Sequence, residues 1–568
     1  MSRWCKDSEE DFTALFPFQE GRGVFADMVN NKVPRLGGLA KVIRTENKRA
    51  VLLISGVPLL ENSGDATTVS RVFSGVYEAR QEGSRWSLVE RVRLETLAQI
   101  RGHRLKVFVR PAEGINVEDK LTVVVKGHYG FVARLNWRAR LRHVRVASAC
   151  AQYAFAGGLL WIDVPRGETE ITVTYSIEVE EGPNATNSGC FLRKAGHLRN
   201  QYFWHLFFDF GSAGDQADFE IRVQIPKSYK LTTGLQQSEC IKGSNRIIVG
   251  RTSRRTFALT LNYDKDWKVI SKQVRNVCLH FFVTPESRRY VMDVVREFRS
   301  VYSLISGRFG VPSLGRLGLV EARSMPGSNW LFTSNHVVVA AGWPRVVSSD
   351  EDFPRAFLGH EIAHFWTNGS GSAVHFLTEG WATYVESLII ASEFGNQAAQ
   401  RFWKKEAENY FEEYEGKVSI LEDYNNSGIS YSKGAWVFRM LELAVGTRIF
   451  QKAMIQFSRL SLEHAATWDV LVDCFERQGL WDFDVRAFIA PWLKEKTAPH
   501  LTAKLKGCQL IVRQRQPFFT LPVTVEAITG KGPERRTVWI RKKRAIVTFP
   551  RRVHSWMLDP DGLLLLRK

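Results

Sequence analysis

Apolar residues along this chain follow two periods, and the switches between them divide it. From about residue 91 to 272 the period is that of strands. The segments LKVFVRP, KLTVVVKG, GLLWIDVP, EITVTYSIEVE, DFEIRVQIP and TFALTLNY alternate or run apolar over strand lengths, with Gly, Pro and Asn between them. Six or more such strands predict a sandwich or saddle-like sheet domain. Near residue 285 the spacing becomes helical: in PESRRYVMDVVREFRSVYSLISGRF, Val291, Val294, Val295, Phe298, Val301 and Leu304 share one broad face. Helical segments then dominate, interrupted by the strand-like HVVVAAGW. After TAPHL the strand pattern returns in PFFTLPVTVEAIT, RRTVWIRKKRAIVTFP and WMLDPDGLLLLRK, the last holding a Pro-Asp-Gly turn.

These switches predict a multidomain α+β protein. Residues 1–90, where short apolar runs mix with Gly and polar clusters, form a lead-in to the β domain. Residues 91–272 form an N-terminal β domain, 273–499 a mostly helical domain, and 500–568 a small basic β domain. A chain of 568 residues exceeds one compact core, and 44% hydrophobic content with 17 Trp suffices for several.

Charge adds one feature. The formal net charge is +19, and residues 501–568 hold 15 Lys or Arg against 4 Asp or Glu, a balance of +11. Such a tail raises nucleic acid or an anionic membrane as partners. The reading adopted is a solubilising surface, with Arg541 to Arg544 as a charged strand edge that discourages edge-to-edge pairing. No specific nucleic-acid binding is expected. An acidic partner or peptide remains open.

The seven Cys (Cys5, Cys150, Cys190, Cys240, Cys278, Cys474 and Cys508) show no CxxC and no framework spacing, which favours free thiols in a reducing compartment. MSRWCKDSEEDF lacks the apolar core of a signal peptide, so Asn184-Ala185-Thr186 and Asn425-Asn426-Ser427 are taken as coincidental glycosylation matches. The longest apolar run, AVLLISGVPLL, has eleven residues, too few to span a bilayer. A cytoplasmic location without a transmembrane segment is expected.

Candidate chemistry concentrates in FPRAFLGHEIAHFW, Phe353 to Trp366. A chance His-Glu-x-x-His arises in roughly a few per hundred chains of this length, so context must decide. Pro354 suits a first helical turn, Ser348 to Asp352 supply capping acids and polar groups, and Asn368-Gly369 suits a stop. On that helix His360 and His364, four apart, share a face and can converge on one ion. Glu361 is turned aside, placed to hold a metal-bound water. Two imidazoles, a further ligand and an open position are what a water-activating zinc site requires. A second helix is expected at FLTEGWATYVESLIIASEFG with Thr378 as its cap. Glu379 in its first turn is assigned as third ligand, with Glu386, two turns later, steadying a ligand histidine. His375 is the rival third ligand, although its apolar AVHFL setting suits a core or gorge histidine. The metzincin pattern fails, because Thr367 and Ser370 stand where its Gly and His belong.

HEIAHFW, LTEGWATYVE and ISYSKGAWVFRML, in this order, resemble the three signatures of the M1 family of gluzincin metallopeptidases, the relatives of aminopeptidase N and leukotriene A4 hydrolase. FFDFGSAGDQADFEIRVQIP resembles the family's N-terminal sheet domain, and FIAPWLKEKTAPHL and MLDPDGLLLL resemble the end of its catalytic domain and its small β domain. The resemblance covers roughly residues 90 to 568 and implies a saddle-like β domain, a thermolysin-like catalytic domain and a C-terminal β-sandwich. It implies one Zn2+ per chain on His360, His364 and Glu379, with Glu361 as general base. It matches Tyr431, in SYSKGA, to the tyrosine that hydrogen-bonds the tetrahedral intermediate.

Two departures stand out. The 14 residues from Phe365 to Thr378 are fewer than the family's usual spacing, which predicts a trimmed loop at TNGSGSAVHFL. In MPGSNW, Met325 to Trp330, Asn329 fits the family's amine-binding stretch, but Ser328 stands where its glutamate grips the substrate's α-amine. Glu321, seven residues earlier, or Glu379 and Glu386, are the available substitutes. The family's large C-terminal helical domain has no counterpart in the sequence, which predicts a more open cleft. The expected function is zinc-dependent hydrolysis of peptide substrates, most naturally N-terminal trimming. An endopeptidase, and a non-catalytic scaffold that kept the zinc site, are the alternatives.

Overall fold

The computed structural model describes residues 39–567, except 47–48, 64–65, 83–84, 93–97, 179–188, 200–201, 208–216, 253–254, 257–258, 313–314, 324–329, 341–355, 424–427, 480–482 and isolated positions. The chain divides into two compact units. One holds residues 1–267 with 322–329, and the other holds 268–321 with 330–568.

The first unit is built of strands. Leu39–Glu46, Arg49–Ser63, Ala66–Glu82 and Arg85–Arg91 form a four-stranded antiparallel meander. The main sheet has eight strands, with Ala98–Arg110 and Gly114–Val125 near its middle. Its alternation predicts one buried face, and Val117, Leu121, Val123 and Val125 are buried as that period requires. Ala98–Arg110 pairs antiparallel with Gly114–Val125 and parallel with Asp218–Pro226.

The second unit carries the helices. A five-stranded sheet runs in the order Lys268–Val274, Val277–Val283, Arg316–Ala322, His336–Ala340, Trp330–Thr333. Its first strand starts at Lys268, slightly before the boundary expected at residue 273. Val277–Val283 and Arg316–Ala322 are parallel, so a crossover must join them. It contains helix α1 (Val291–Phe309), which buries Val291, Val294, Val295, Phe298 and Val301 of the expected face, with Leu304 half-buried.

Seven further helices follow among the described residues: α2 (Ala356–Ala363), α3 (Trp381–Phe394), α4 (Asn396–Asn409), α5 (Ile429–Val445), α6 (Thr447–His464), α7 (Trp468–Glu476) and α8 (Val485–Lys494). No described helix is long and apolar enough to cross a membrane. The expected capping segment Ser348 to Asp352 and Pro354 lie outside the described residues. Tryptophans tie the helix ends: Trp366 Nε1 donates to the Gly310 carbonyl at 2.8 Å, and Trp381 Nε1 to the Ala363 carbonyl at 3.1 Å. The second bond satisfies a carbonyl that the end of α2 leaves open.

Residues 501–558 form two three-stranded sheets. Their core is continuous with the helical one: the Trp492 and Phe519 rings are 4.5 Å apart, and Leu510, Val512 and Val523 belong to the same buried cluster as α3 and α5. The stretch expected as a separate domain therefore shares one compact unit with the helices.

Candidate active site

Helix α2 carries His360 and Glu361 and tightens into a 3-10 turn at His364–Trp366. His360, Glu361 and His364 are all buried. The two imidazoles face each other nearly edge-on, with centroids 5.2 Å apart.

The next helix differs from its sequence expectation. It begins at Val374, ahead of Thr378, and Phe376–Gly380 form a wide π turn that runs into α3. Thr378 is not a cap: its Oγ1 donates back to the Val374 carbonyl at 3.1 Å. Glu379 lies inside the π turn, where the extra residue per turn re-aims side chains.

That turn brings Glu379 onto both histidines. His360 Nε2 and His364 Nε2 each lie 3.4 Å from the same oxygen, Glu379 Oε2. The other imidazole nitrogen of His360, Nδ1, lies 3.4 Å from Glu386 Oε2, one helical face along α3. Donor atoms of His360, His364 and Glu379 all fall within 4.8 Å of one another, so the three residues could hold a metal ion. No other such group of His, Cys, Asp or Glu occurs among the described residues, and His375 is not part of this one.

The electrostatics are those of a carboxylate-rich pocket. Burial opposes charge on His360, yet Glu379 and Glu386 outweigh it and push the imidazole up to about 10. Burial likewise opposes charge on Glu379, but His364 and His360 hold its carboxyl well below the usual range. Positive charge is therefore favoured between these groups, whether a proton or a cation supplies it.

Helix α5 brings Tyr431 to the site. Gly428, left-handed at φ 93°, starts the helix, and a Cβ there would meet the Tyr414 hydroxyl at 2.2 Å. Tyr431 stacks on His360 with rings 7° from parallel and centroids 5.7 Å apart. Both its neighbours are held by acids, one buried and one half-buried: Ser430 Oγ donates to Asp423 Oδ2 at 2.7 Å, and Ser432 Oγ to Glu406 Oε2 at 2.6 Å. Burial raises the Glu406 carboxyl, the Ser432 hydroxyl counters, and Glu386 raises it further. Sequence reasoning missed Glu406 and Asp423. Neither stands in a motif, and only the flanking serines of SYS signal a need for acceptors.

The remaining site expectations fall elsewhere. Ser328 and Asn329 lie outside the described residues. Glu321 is buried at the end of its strand. Its carboxylate accepts from the Thr284 N–H at 2.7 Å, Thr284 Oγ1 at 2.9 Å and Ser287 Oγ at 2.9 Å, holding the turn that leads into α1.

Proteins similar to this chain carry aminopeptidase names. Probable aminopeptidase 1 of Sulfurisphaera tokodaii is 21% identical over 386 residues, 61% of this chain and 47% of that protein. Aminopeptidase M1-C of Oryza sativa subsp. japonica is 29% identical over 174 residues, 28% of this chain and 20% of its own length. Aminopeptidase M1 of Arabidopsis thaliana is 28% identical over 178 residues, 28% of this chain and 19% of its own length. The chain thus spans less than half the length of these curated relatives. No protein-family model matches it. These similarities support a low-identity relation to the M1 aminopeptidases.

Proposed function

We propose that this chain is a zinc-dependent peptidase that releases N-terminal residues from peptides. The observation that carries this reading is the convergence of His360, His364 and Glu379, with Glu361 beside them and Tyr431 over His360. The donors fit zinc. Ligands about 2.0–2.2 Å from a tetrahedral ion stand about 3.4 Å from one another, and two of the separations here are 3.4 Å. Two imidazoles and one carboxylate are also the donor set that leaves one position for water. Zinc held there would polarise the scissile carbonyl and lower the pKa of its water to about 7.

The chain's own residues do the rest. Glu361, one residue beyond His360, is turned by about 100° from the ligand face. It takes the proton of the attacking water and passes it to the leaving amine. Tyr431 donates its phenolic proton to the developing oxyanion, a contribution of about 2.7–4 kcal/mol for a well-placed donor. Glu386, at His360 Nδ1, fixes the tautomer that leaves Nε2 free to ligate. The five described cysteines are free thiols, which supports a reducing, cytoplasmic setting.

Internal cleavage is the second reading, favoured by Ser328 at the position of the family's amine-binding glutamate. The three hydrogen bonds at Glu321 also occupy one of its substitutes. A digest of a mixed peptide library, free and N-acetylated, separates the two by mass spectrometry, with Glu361→Gln as the blank. Loss of single N-terminal residues from free peptides alone supports the aminopeptidase. Internal cuts in acetylated peptides support the endopeptidase. Nothing beyond the blank leaves a binding protein.

A further inference from the structure

The outer face of one C-terminal sheet is a grid of three by three residues. The strands Leu501–Lys506, Gln509–Gln514 and Arg544–Thr548 pair in that order. Their registers align Thr502, Arg513 and Arg544 in one row, Lys504, Ile511 and Ile546 in the next, and Lys506, Gln509 and Thr548 in the third. All of these are exposed except Ile511, which is half-exposed. The grid holds four cations and no acid. None of the four has an ion-pair partner among the described residues, and Lys542 and Lys543 extend the charge at one end.

Two features set this face apart from a solubilising surface. Arg513 lies directly opposite Arg544, an arrangement in which like charges destabilise a sheet. The domain's other sheet avoids this: Arg535 is paired there with Glu526 at 2.6 Å and Asp561 at 2.9 Å. In addition, Ile546 stands among the cations at 48% exposure, where a solubilising surface would place a polar residue.

We infer that this face docks reversibly on an anionic phospholipid membrane. Coplanar Lys and Arg suit a charged lipid surface, and isoleucine between them gains by entering the boundary between headgroups and acyl chains. A phosphate backbone gives the isoleucines nothing, and the grid has no aromatic ring on which a base could stack. Strand and residue spacings make the face on the order of 300 Å². Stable protein partners need about 800 Å² each. The inference is independent of the peptidase reading.

The test is sedimentation of the full chain with phosphatidylcholine vesicles, with and without phosphatidylserine at about a third of the lipid. Binding is expected only to the anionic vesicles, falling with salt. The triple variant Lys504→Glu, Arg513→Glu, Arg544→Glu should bind at least about 100-fold more weakly. A control triple at exposed cations elsewhere, Lys268→Glu, Arg288→Glu, Lys452→Glu, changes the net charge equally and should keep most of the binding. Arg544→Glu alone should melt higher, because it pairs with Arg513, and still bind more weakly. Ile546→Ser should weaken binding with all charges intact. Equal loss in both triples, no binding by the unaltered chain, or preference for duplex DNA over the vesicles would each overturn the inference.

Discussion

Gly380 of the π turn and Gly434 of α5 lie backbone against backbone. A Cβ at Gly380 would come 3.1 Å from the Gly434 Cα and 2.9 Å from the Ser430 carbonyl oxygen. This approach sets the distance between the turn that carries Glu379 and the helix that carries Tyr431. Gly380→Ala must therefore separate them. We expect a loss of about 1–3 kcal/mol in stability, with weaker zinc binding because Glu379 moves with the turn. Thermal melting with and without zinc measures both. An unchanged melting point would mean that the contact is slack.

Glu386 touches His360 at the nitrogen that faces away from the other donors. Replacing it by Gln keeps the shape and removes the charge that orients the imidazole. Loss of such a support costs about 10- to 100-fold in metal affinity. Competition against a chromophoric chelator should show that weakening, and the metal-free protein should also melt lower, since Glu386 is one of the two carboxylates that favour charge on the buried His360. Equal affinities would make Glu386 a bystander.

Much of this centre was legible in the sequence because helical spacing alone puts His360 and His364 on one face. The α1 face from Val291 to Val301 was legible for the same reason. The start of the following helix was not. Thr378 has the chemistry of a cap, but the contact between Gly380 and Gly434, far apart in sequence, accompanies a π turn that local propensity does not encode. Tyr431 was found only through a resemblance, since one tyrosine among fourteen has no signature of its own. Glu406 and Asp423 were missed because their partners are serines brought near by folding.

Those two acids clamp the residues on either side of Tyr431, so they bear on the phenol's position without touching it. Ser432→Ala removes one clamp. We expect kcat on a peptide substrate to fall about tenfold with KM little changed, since misplacing a group by 1 Å can cost about 100-fold. Glu406→Gln keeps an oxygen for the Ser432 hydroxyl and should retain most of the activity. Tyr431→Phe sets the floor, about 100- to 1,000-fold down. If Ser432→Ala raised KM instead, the clamp would serve binding and not the transition state.

Lys433 gives the fold a pH dependence with a definite sign. Its side chain is fully buried, donates to the Glu495 carbonyl and lies 5.6 Å from the Tyr410 ring centroid. Burial pulls its pKa from 10.5 down to about 7, against the smaller opposing effects of Glu495 and Glu415. Below pH 7 folded and unfolded chains both carry the proton, and the native state bears the full cost of a buried charge. Between about 7 and 10.5 the unfolded chain holds the extra proton, so this group makes stability rise with pH, by at most about 1.4 kcal/mol per pH unit. Lys433→Met abolishes that slope. Its stability relative to the parent should therefore be most favourable near pH 6.5 and decline steadily towards pH 9, as read from urea midpoints across that range. Parallel curves for the two proteins would show that Lys433 stays charged throughout, held by the Glu495 carbonyl and the face of Tyr410.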